Sequence, residues 1–139
     1  MRQKSSGVNQ MSMTAVMCLA LNMFFEARNE PLAGQAMVAE VTLNRVASNS
    51  YPDTVCDVVW QRKQFSWTHD GKHDDPTRMS YLDRESWKEI YKAAEVIMAN
   101  PELLPKTGAT HYHADYVQPY WTTDMKYLGK VGSHKFYKK

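Results

Sequence analysis

The chain of 139 residues has few cysteines, little net charge and no internal repeats. It contains only two cysteines, Cys18 and Cys56, too few for the disulfide scaffold of a small secreted domain. Their apolar neighbours favour two buried free thiols. The net charge is only +2, so the bulk electrostatics do not require a nucleic acid or an anionic surface as partner. No internal repeat or low-complexity segment is visible, and 43% hydrophobic residues suits one globular domain.

The N-terminal region lacks the features of a membrane span or an export signal. The apolar run from Ala15 to Phe25 is too short to cross a bilayer, and Asn22 interrupts it. No small-residue cleavage pattern follows, so we expect no signal peptide. We interpret residues 1–11 as a flexible leader and residues 12–139 as a single domain.

Periodicity and end signals predict helices first and short strands last. The predicted helices span about 12–28, 32–47, 53–60 and 83–99, with Ser12 and Asp53 as caps of the first and third. A long polar loop is predicted over 61–82. Two strand-like segments follow at 109–114 and 134–137.

Glu26 is the most informative single residue, because it ends a helix that is otherwise apolar on every face. Loss of hydration raises the pKa of a carboxyl group in such a place. A carboxyl group that stays protonated near neutral pH can act as a general acid. The alternative is a structural carboxylate that pairs with Arg28 or Arg45, or that caps the second helix. The residues alone leave both interpretations open.

Five segments of the chain resemble, in the same order, the SleB-type cell wall hydrolase domain. This family includes spore-cortex-lytic enzymes and phage endolysins. The segments are ALNMFFEARNEPLAGQAMVAEVTLNRV, YPDTVCDVVWQ, QFSW followed by DG, ATHYHADYVQPYW and KVGSHKFY. Together they extend over roughly residues 14–137, nearly the whole chain.

The resemblance implies an α+β, mainly α, lysozyme-like domain of the lytic transglycosylase type, with a few short strands. It implies that residues 12–139 form one catalytic domain that cleaves peptidoglycan between N-acetylmuramic acid and N-acetylglucosamine. The family's catalytic glutamate, in the motif E-A-R, falls on Glu26. The expected chemistry is lytic transglycosylation, which leaves a 1,6-anhydromuramic end.

A single glutamate is chemically sufficient for that reaction. Glu26 would protonate the leaving oxygen and then accept the proton of the C6 hydroxyl, which attacks C1 of the same sugar. No activated water is needed, so the second carboxylate of an ordinary glycosidase is not needed either. A muramidase, which hydrolyses the same bond, is the alternative if a second carboxylate lies across the cleft. The candidates for it are Glu30, Glu40, Asp70 and Asp115.

The QFSW motif supplies further candidates for substrate binding. Sugars present apolar ring faces edged by hydroxyl groups, so an amide, a hydroxyl and an aromatic ring suit them. We expect Gln64 and Ser66 to face the cleft and Phe65 to be buried. Trp67 either packs on a sugar ring or anchors the loop to the core.

The segment 109–114 supplies two hydroxyl groups. Thr110 and Tyr112 share one face of the predicted strand, which the resemblance places beside Glu26. Either hydroxyl could therefore orient Glu26 or the substrate. Tyr137 is a candidate for the groove or for the core.

Three histidines, His111, His113 and His134, raise the question of a zinc site. They lack diagnostic ligand spacing, and the expected reaction needs no metal. We therefore expect no metal and no cofactor, and we interpret the histidines as polar groups bonded to the backbone or the substrate, with His111 among the substrate-binding candidates.

The expected partner is bacterial peptidoglycan, bound by a monomer without nucleic acid and without stable membrane insertion. Five lysines and no acid in residues 126–139 either hold the protein near anionic wall polymers or form a solubilising tail. The absence of a signal and of a wall-binding module fits a phage endolysin, made in the host cytoplasm and released by a holin to act in the periplasm or cell wall. An inactive glycan-binding module is the alternative from another class.

Overall fold

The computed structural model describes residues 13–61, 66–69 and 75–139, without the side chains of Ser66 and His69. The α-helices are α1 (Ala15–Ala27), α2 (Leu32–Ala47), α3 (Val55–Val59) and α4 (Tyr81–Ala99). The strands are β1 (His111–Ala114), β2 (Lys126–Val131) and β3 (His134–Lys138). Short 3-10 turns lie at Ser66–His69, Pro76–Arg78, Pro101–Leu103 and Tyr120–Asp124. The predicted α+β, mainly α architecture is confirmed.

Helix α1 forms the centre of the molecule and packs against α2, α3 and α4. Its side chains are buried on every face, from Cys18 to Phe24, which explains its all-round apolar pattern. The helix begins at Ala15, where the hydroxyl of Thr14 accepts a hydrogen bond from the Met17 amide at 3.1 Å. The predicted cap, Ser12, lies outside the described residues, as does the predicted leader 1–11.

The ends of the other helices follow local capping chemistry. Helix α2 has the predicted bounds. Helix α3 is shorter than predicted, because its cap is Thr54 rather than Asp53, with the Thr54 hydroxyl 3.1 Å from the Asp57 amide. Helix α4 begins two residues earlier than predicted, capped by Ser80.

None of the described helices combines the length and the apolar character that crossing a lipid bilayer demands.

The three strands form an antiparallel sheet in the order β1-β3-β2. Strand β2 was not predicted, because it lies at an edge of the sheet and its lysines face solvent instead of alternating with apolar residues. The lysine-rich segment is therefore a hairpin of β2 and β3, and its interpretation as a tail is wrong. One face of the sheet packs on α2 through Phe136 and Val41.

The register of the sheet decides which side chains share a face, because residues paired across antiparallel strands project in the same direction. Tyr112 pairs with Phe136, and Ala114 pairs with His134; these residues point toward the helices and the end of α1. His111 pairs with Tyr137 on the opposite face.

The two cysteines form a disulfide, contrary to the prediction of free thiols. Cys18 on α1 and Cys56 on α3 have Cα atoms 5.2 Å apart, within the range that a disulfide bridges. Their apolar neighbours correctly indicated burial, but the contact between α1 and α3 is separated by 38 residues and has no local signal.

Replacing both cysteines by alanine is expected to lower the free energy of unfolding by about 2–4 kcal/mol, because the unfolded chain loses a cross-link. Urea unfolding of both proteins, with and without reductant, would measure the difference. Reductant should weaken the wild-type protein and leave the double variant unchanged. Equal stability of the two proteins without reductant would contradict the prediction.

Candidate active site

A cleft of about 400 Å³ opens where α1 ends beside the sheet. Residues 25–30, at the end of α1 and in the turn after it, line one side. Residues 114–116, at the end of β1, together with Ser133 and His134, line the other. The cleft thus brings together three segments that are far apart in the sequence.

Glu26 lies in this cleft, half-buried in the last turn of α1. The phenol of Tyr112 on β1 donates a hydrogen bond to Glu26 Oε1 at 2.5 Å. Burial raises the pKa of Glu26, while the Tyr112 hydrogen bond and the positive charge of Arg45 oppose the rise without cancelling it. The predicted upward shift of the Glu26 pKa is confirmed.

The alternative partner of Glu26, Arg28, is bonded elsewhere. Its Nε lies 3.1 Å from Asp83 Oδ1 on α4, and its guanidinium group lies 4.8 Å from the ring centre of Phe24. Arg28 therefore joins the end of α1 to α4 while it lines the cleft.

A buried polar network supports Tyr112 from behind. Asn22, one helical turn before Glu26, is fully buried and accepts a hydrogen bond from Trp67 Nε1 at 2.8 Å. Asn22 also bonds the Tyr112 phenol. Burial raises the pKa of Tyr112 well above its usual value, so this phenol stays protonated and remains a donor to Glu26.

Arg45 on α2 supplies a buried positive charge near the site. Only 4% of the residue is exposed, and its Nε donates to the Thr110 carbonyl at 2.8 Å. The guanidinium group lies 5.0 Å from the ring centre of Tyr51. Its charge favours the ionised form of Glu26 and so limits the rise of the Glu26 pKa.

Glu30 fastens the β2–β3 hairpin to the end of α1. Its carboxylate accepts hydrogen bonds from the Ser133 amide and the Ser133 hydroxyl, both at 2.7 Å. Burial raises the pKa of Glu30, but the two Ser133 bonds outweigh burial and leave this pKa below its usual value. Gly132 has a φ of +59°, and a Cβ there would collide with the Glu30 carboxylate.

The other candidate carboxylates differ in environment from Glu26. Asp115 lines the cleft but pairs with Lys130 at 2.9 Å, which lowers the pKa of Asp115. Glu40 lies away from the cleft and binds the Thr107 and Gly108 amides at 2.9 and 3.0 Å. Asp70 lies outside the described residues. Of the described carboxyl groups that line the cleft, Glu26 is the one with a raised pKa.

The QFSW motif is only partly described. Gln64 and Phe65 lie outside the described residues, and the side chain of Ser66 is not described, so their roles stay predictions. Trp67 is 4% exposed, stacks on Phe25 with ring centres 5.0 Å apart and bonds Asn22. Trp67 therefore anchors this segment to the core, which favours the second of its two interpretations over packing on a sugar ring.

Three of the predicted substrate-binding residues do not contact Glu26; they are Thr110, His111 and Tyr137. The Thr110 hydroxyl lies 2.9 Å from His111 Nδ1 and 3.2 Å from the Lys139 amide, one residue before β1 begins. His111 and Tyr137 lie on the opposite face of the sheet from Tyr112. Tyr112 alone of the candidates in the strands contacts Glu26.

His111 and Tyr137 instead belong to an aromatic cluster on that opposite face. The ring centre of Trp121 lies 5.4 Å from that of His111 and 5.5 Å from that of Tyr137. The Tyr137 phenol bonds His113 Nε2 at 2.8 Å. Burial, with the nearby charges of Arg45 and Lys139, lowers the pKa of His111 to about 4, so His111 is neutral at pH 7.

In the described part of the chain, no three His, Cys, Asp or Glu side chains converge in a way that could hold a metal ion. His111 and His113 lie on one face of the sheet and His134 on the other, so the three histidines do not share a site.

Several residues of the site had no strong signal in the sequence. Ser133 and Tyr116 reach the cleft from a turn and from a loop end, where no periodicity indicates direction. Asn22 had a partial signal, since it interrupts the apolar face one turn before Glu26.

The comparisons with known proteins agree with this fold. The family model described as Cell Wall Hydrolase matches residues 29–137. The chain therefore belongs to the cell wall hydrolase family. The matched range begins at residue 29, just after helix α1, and therefore does not include Glu26.

The chain is similar to spore cortex-lytic enzymes. That of Halalkalibacterium halodurans is 29% identical over 126 residues, which cover 87% of this chain and 34% of the relative. That of Bacillus cereus is 29% identical over 130 residues, covering 94% of this chain and 46% of the relative. The chain thus spans a third to a half of the length of these curated relatives.

A solved structure is similar over almost the whole chain. It is the catalytic domain of the germination-specific lytic transglycosylase SleB from Bacillus anthracis, 27% identical, with a TM-score of 0.66. The match covers 99% of this chain and 100% of that domain. It includes α1 and the region of Glu26, which the family model does not reach.

Replacing Glu26 by glutamine is expected to stabilise the fold near neutral pH but not at acid pH. Because burial raises the pKa of Glu26, its contribution to stability is fully present below the pKa of the unfolded chain and is lost as the pH rises through the folded value. Glutamine stays neutral throughout and still accepts the Tyr112 hydrogen bond.

Urea unfolding at about pH 3.5 and about pH 7 would measure this difference. The matched control is Glu89→Gln, at an exposed position on α4, which should show no such pH dependence. A Glu26→Gln variant that gains nothing between the two pH values would contradict the prediction.

Proposed function

We propose that this domain is a peptidoglycan lytic transglycosylase that cleaves the β-1,4 bond between N-acetylmuramic acid and N-acetylglucosamine. The observation that carries the proposal is Glu26, a half-buried carboxyl group with a raised pKa that lies in an open cleft and is held by Tyr112. The similarity to a lytic transglycosylase catalytic domain supports the reaction type.

In the first step, the protonated Glu26 gives its proton to the glycosidic oxygen as the bond from that oxygen to C1 of the muramic sugar breaks. The raised pKa of Glu26 favours the protonated form that this step needs. Positive charge develops at C1, and Glu26 becomes a carboxylate.

In the second step, the C6 hydroxyl of the same sugar attacks C1 and transfers its proton to Glu26. The new bond closes the 1,6-anhydro ring and restores the acid, so protons balance over the cycle. Because the nucleophile belongs to the substrate, its effective concentration is high and no water is consumed.

Tyr112 and Arg45 would act between these steps. The phenol of Tyr112 donates to the carboxylate, and the buried charge of Arg45 also favours the ionised form. Both interactions strengthen when Glu26 loses its proton. They therefore stabilise the intermediate state without abolishing the acidity that the first step needs.

Hydrolysis of the same bond is a second candidate, because Asp115 lines the cleft with Glu26 and stays ionised. A muramidase would use such a carboxylate to activate water. The bond of Asp115 to Lys130 makes it a weaker base, which favours transglycosylation.

Mass spectrometry of fragments released from purified peptidoglycan would test the proposal. We expect anhydromuramic products from the wild-type protein and from Glu89→Gln, and none from Glu26→Gln. Reducing muramic ends would indicate a muramidase. No fragments from any variant would indicate a glycan-binding module, provided that a known muramidase digests the same preparation.

Tyr112→Phe is expected to shift the alkaline limb of the pH–rate profile to higher pH and to lower the maximal rate. The hydrogen bond from Tyr112 lowers the pKa of Glu26, so its removal lets this pKa rise further. A matched control is Tyr137→Phe, which removes a phenol from the opposite face of the sheet and should leave the limb in place. A limb that stays fixed in Tyr112→Phe would contradict the prediction.

We also propose that the domain acts as a phage endolysin that a holin releases to the wall. Host cells that produce it should then lyse only when a holin is expressed with it. Lysis without a holin would indicate another route to the wall. Size-exclusion chromatography with light scattering would test the monomeric state.

A further inference from the structure

His134 presents an unusual nitrogen beside the cleft. The residue is 9% exposed and lines the cleft wall, on the sheet face that also carries Tyr112. Its Nδ1 is buried and has no hydrogen-bond partner among the described residues. A buried polar atom without a partner is costly, so its position calls for a functional explanation.

Glu30 is the group that faces this nitrogen. Its Oε1 lies 3.8 Å from His134 Nδ1. The two bonds from Ser133 fix the Glu30 carboxylate and favour its ionised form. A negative charge at that distance favours a proton on Nδ1 over a lone pair on Nδ1, because the lone pair would repel the carboxylate.

The ring of His134 is neutral near pH 7. Burial lowers the pKa of His134, and the charges of Glu30 and Asp115 oppose the shift without reversing it. A neutral imidazole with its proton on Nδ1 has a lone pair on Nε2. In the described part of the chain Nε2 makes no hydrogen bond to the protein, so this lone pair is free to accept one from a ligand.

We propose that Glu30 holds His134 in the tautomer protonated at Nδ1, so that Nε2 accepts a hydrogen bond from a hydroxyl or amide N–H group of the glycan. The choice of a glycan rests on the proposed function. The ring centre of His134 lies 5.1 Å from that of Tyr112, whose phenol binds Glu26. The hydrogen bond to the substrate therefore falls close to the reacting sugar. His134 is the substrate contact, and Glu30 is a positioning residue.

The chain provides a matched control for Glu30. Glu40 also receives a backbone amide and a hydroxyl group of one residue, Thr107, with distances of 2.9 and 2.8 Å. Glu40 does not line the cleft. Glu30→Gln and Glu40→Gln thus weaken similar attachments, and only the first removes a charge beside His134.

Nitrogen NMR of the histidine side chains would test the tautomer without any catalytic activity. In the full chain at about pH 7, His134 is expected to show a protonated Nδ1 and an unprotonated Nε2. This preference should weaken in Glu30→Gln and persist in Glu40→Gln. A proton on Nε2, or a doubly protonated ring, in the wild-type protein would overturn the proposal.

Kinetics on peptidoglycan would test the substrate contact. His134→Phe is expected to lower kcat/KM about five- to tenfold, the loss of one hydrogen bond, with an unchanged unfolding midpoint. His134→Gln, which restores an acceptor near Nε2, should recover most of that loss. Glu30→Gln should lower kcat/KM more than Glu40→Gln does. Full activity of His134→Phe, or failure of His134→Gln to recover in a folded protein, would overturn the proposal.

A binding measurement separates this proposal from the proposed reaction. A soluble oligosaccharide of alternating N-acetylglucosamine and N-acetylmuramic acid is titrated into Glu26→Gln, which retains the cleft. A change in the His134 Nε2 resonance on saturation supports the contact, even if the wild-type protein releases no fragments and the proposed reaction fails. No change at saturation, or no binding, overturns it.

Discussion

The structure depends most on the burial of α1 from Cys18 to Phe24. This helix contacts the other three and ends beside the sheet, so its last turn has protein on most sides and the cleft on one. A carboxyl group placed there loses hydration, which raises its pKa. The hydrogen bond from Tyr112 and the charge of Arg45 stabilise its ionised form and reduce that rise. The acidity of Glu26 is therefore a balance set by the packing of the helix, not a property of the E-A-R motif alone.

The sheet is attached to the helices by polar side chains as much as by apolar packing. Glu30 binds the hairpin turn, Glu40 binds the segment before β1, and Arg45 binds the Thr110 carbonyl. Each attachment satisfies a backbone group that does not pair within the sheet. Of these three bonds, the one between Glu30 and Ser133 joins two sides of the cleft. Glutamate thus stabilises the fold at Glu40 and supplies the candidate acid of the cleft at Glu26.

The sequence predicted the features that depend on residues close together in the chain, and it missed those that depend on contacts between distant segments. Helix α2 and the position of Glu26 at the end of α1 depend on periodicity within one segment, and both were correct. Strand β2 carries lysines at the edge of the sheet and has no clear alternation. The Cys18–Cys56 bond and the burial of Trp67 depend on contacts between distant segments.

The errors at the site have a similar origin. Thr110 was assigned to the face of Tyr112, but it lies one residue before the strand, and its hydroxyl contacts His111 and the Lys139 amide instead of Glu26. Arg45 has a charge that is typical of a surface, and only the fold shows that it is buried beside Tyr51. His134 was interpreted as a polar group bonded to the backbone or the substrate, and only the fold shows that the Glu30 carboxylate lies 3.8 Å from its Nδ1.

The disulfide between Cys18 and Cys56 involves the helix that carries Glu26, so the redox conditions around the protein determine whether that helix is covalently cross-linked. Thiols stay reduced in most cytosols and pair in the periplasm and outside the cell. A chain of this sequence would thus have two covalent forms, and the compartment would select between them. In the oxidised form, a covalent bond joins α1 to α3 in addition to the packing of their side chains; in the reduced form, this bond is absent. The cross-linked form is then the one expected outside the cytosol.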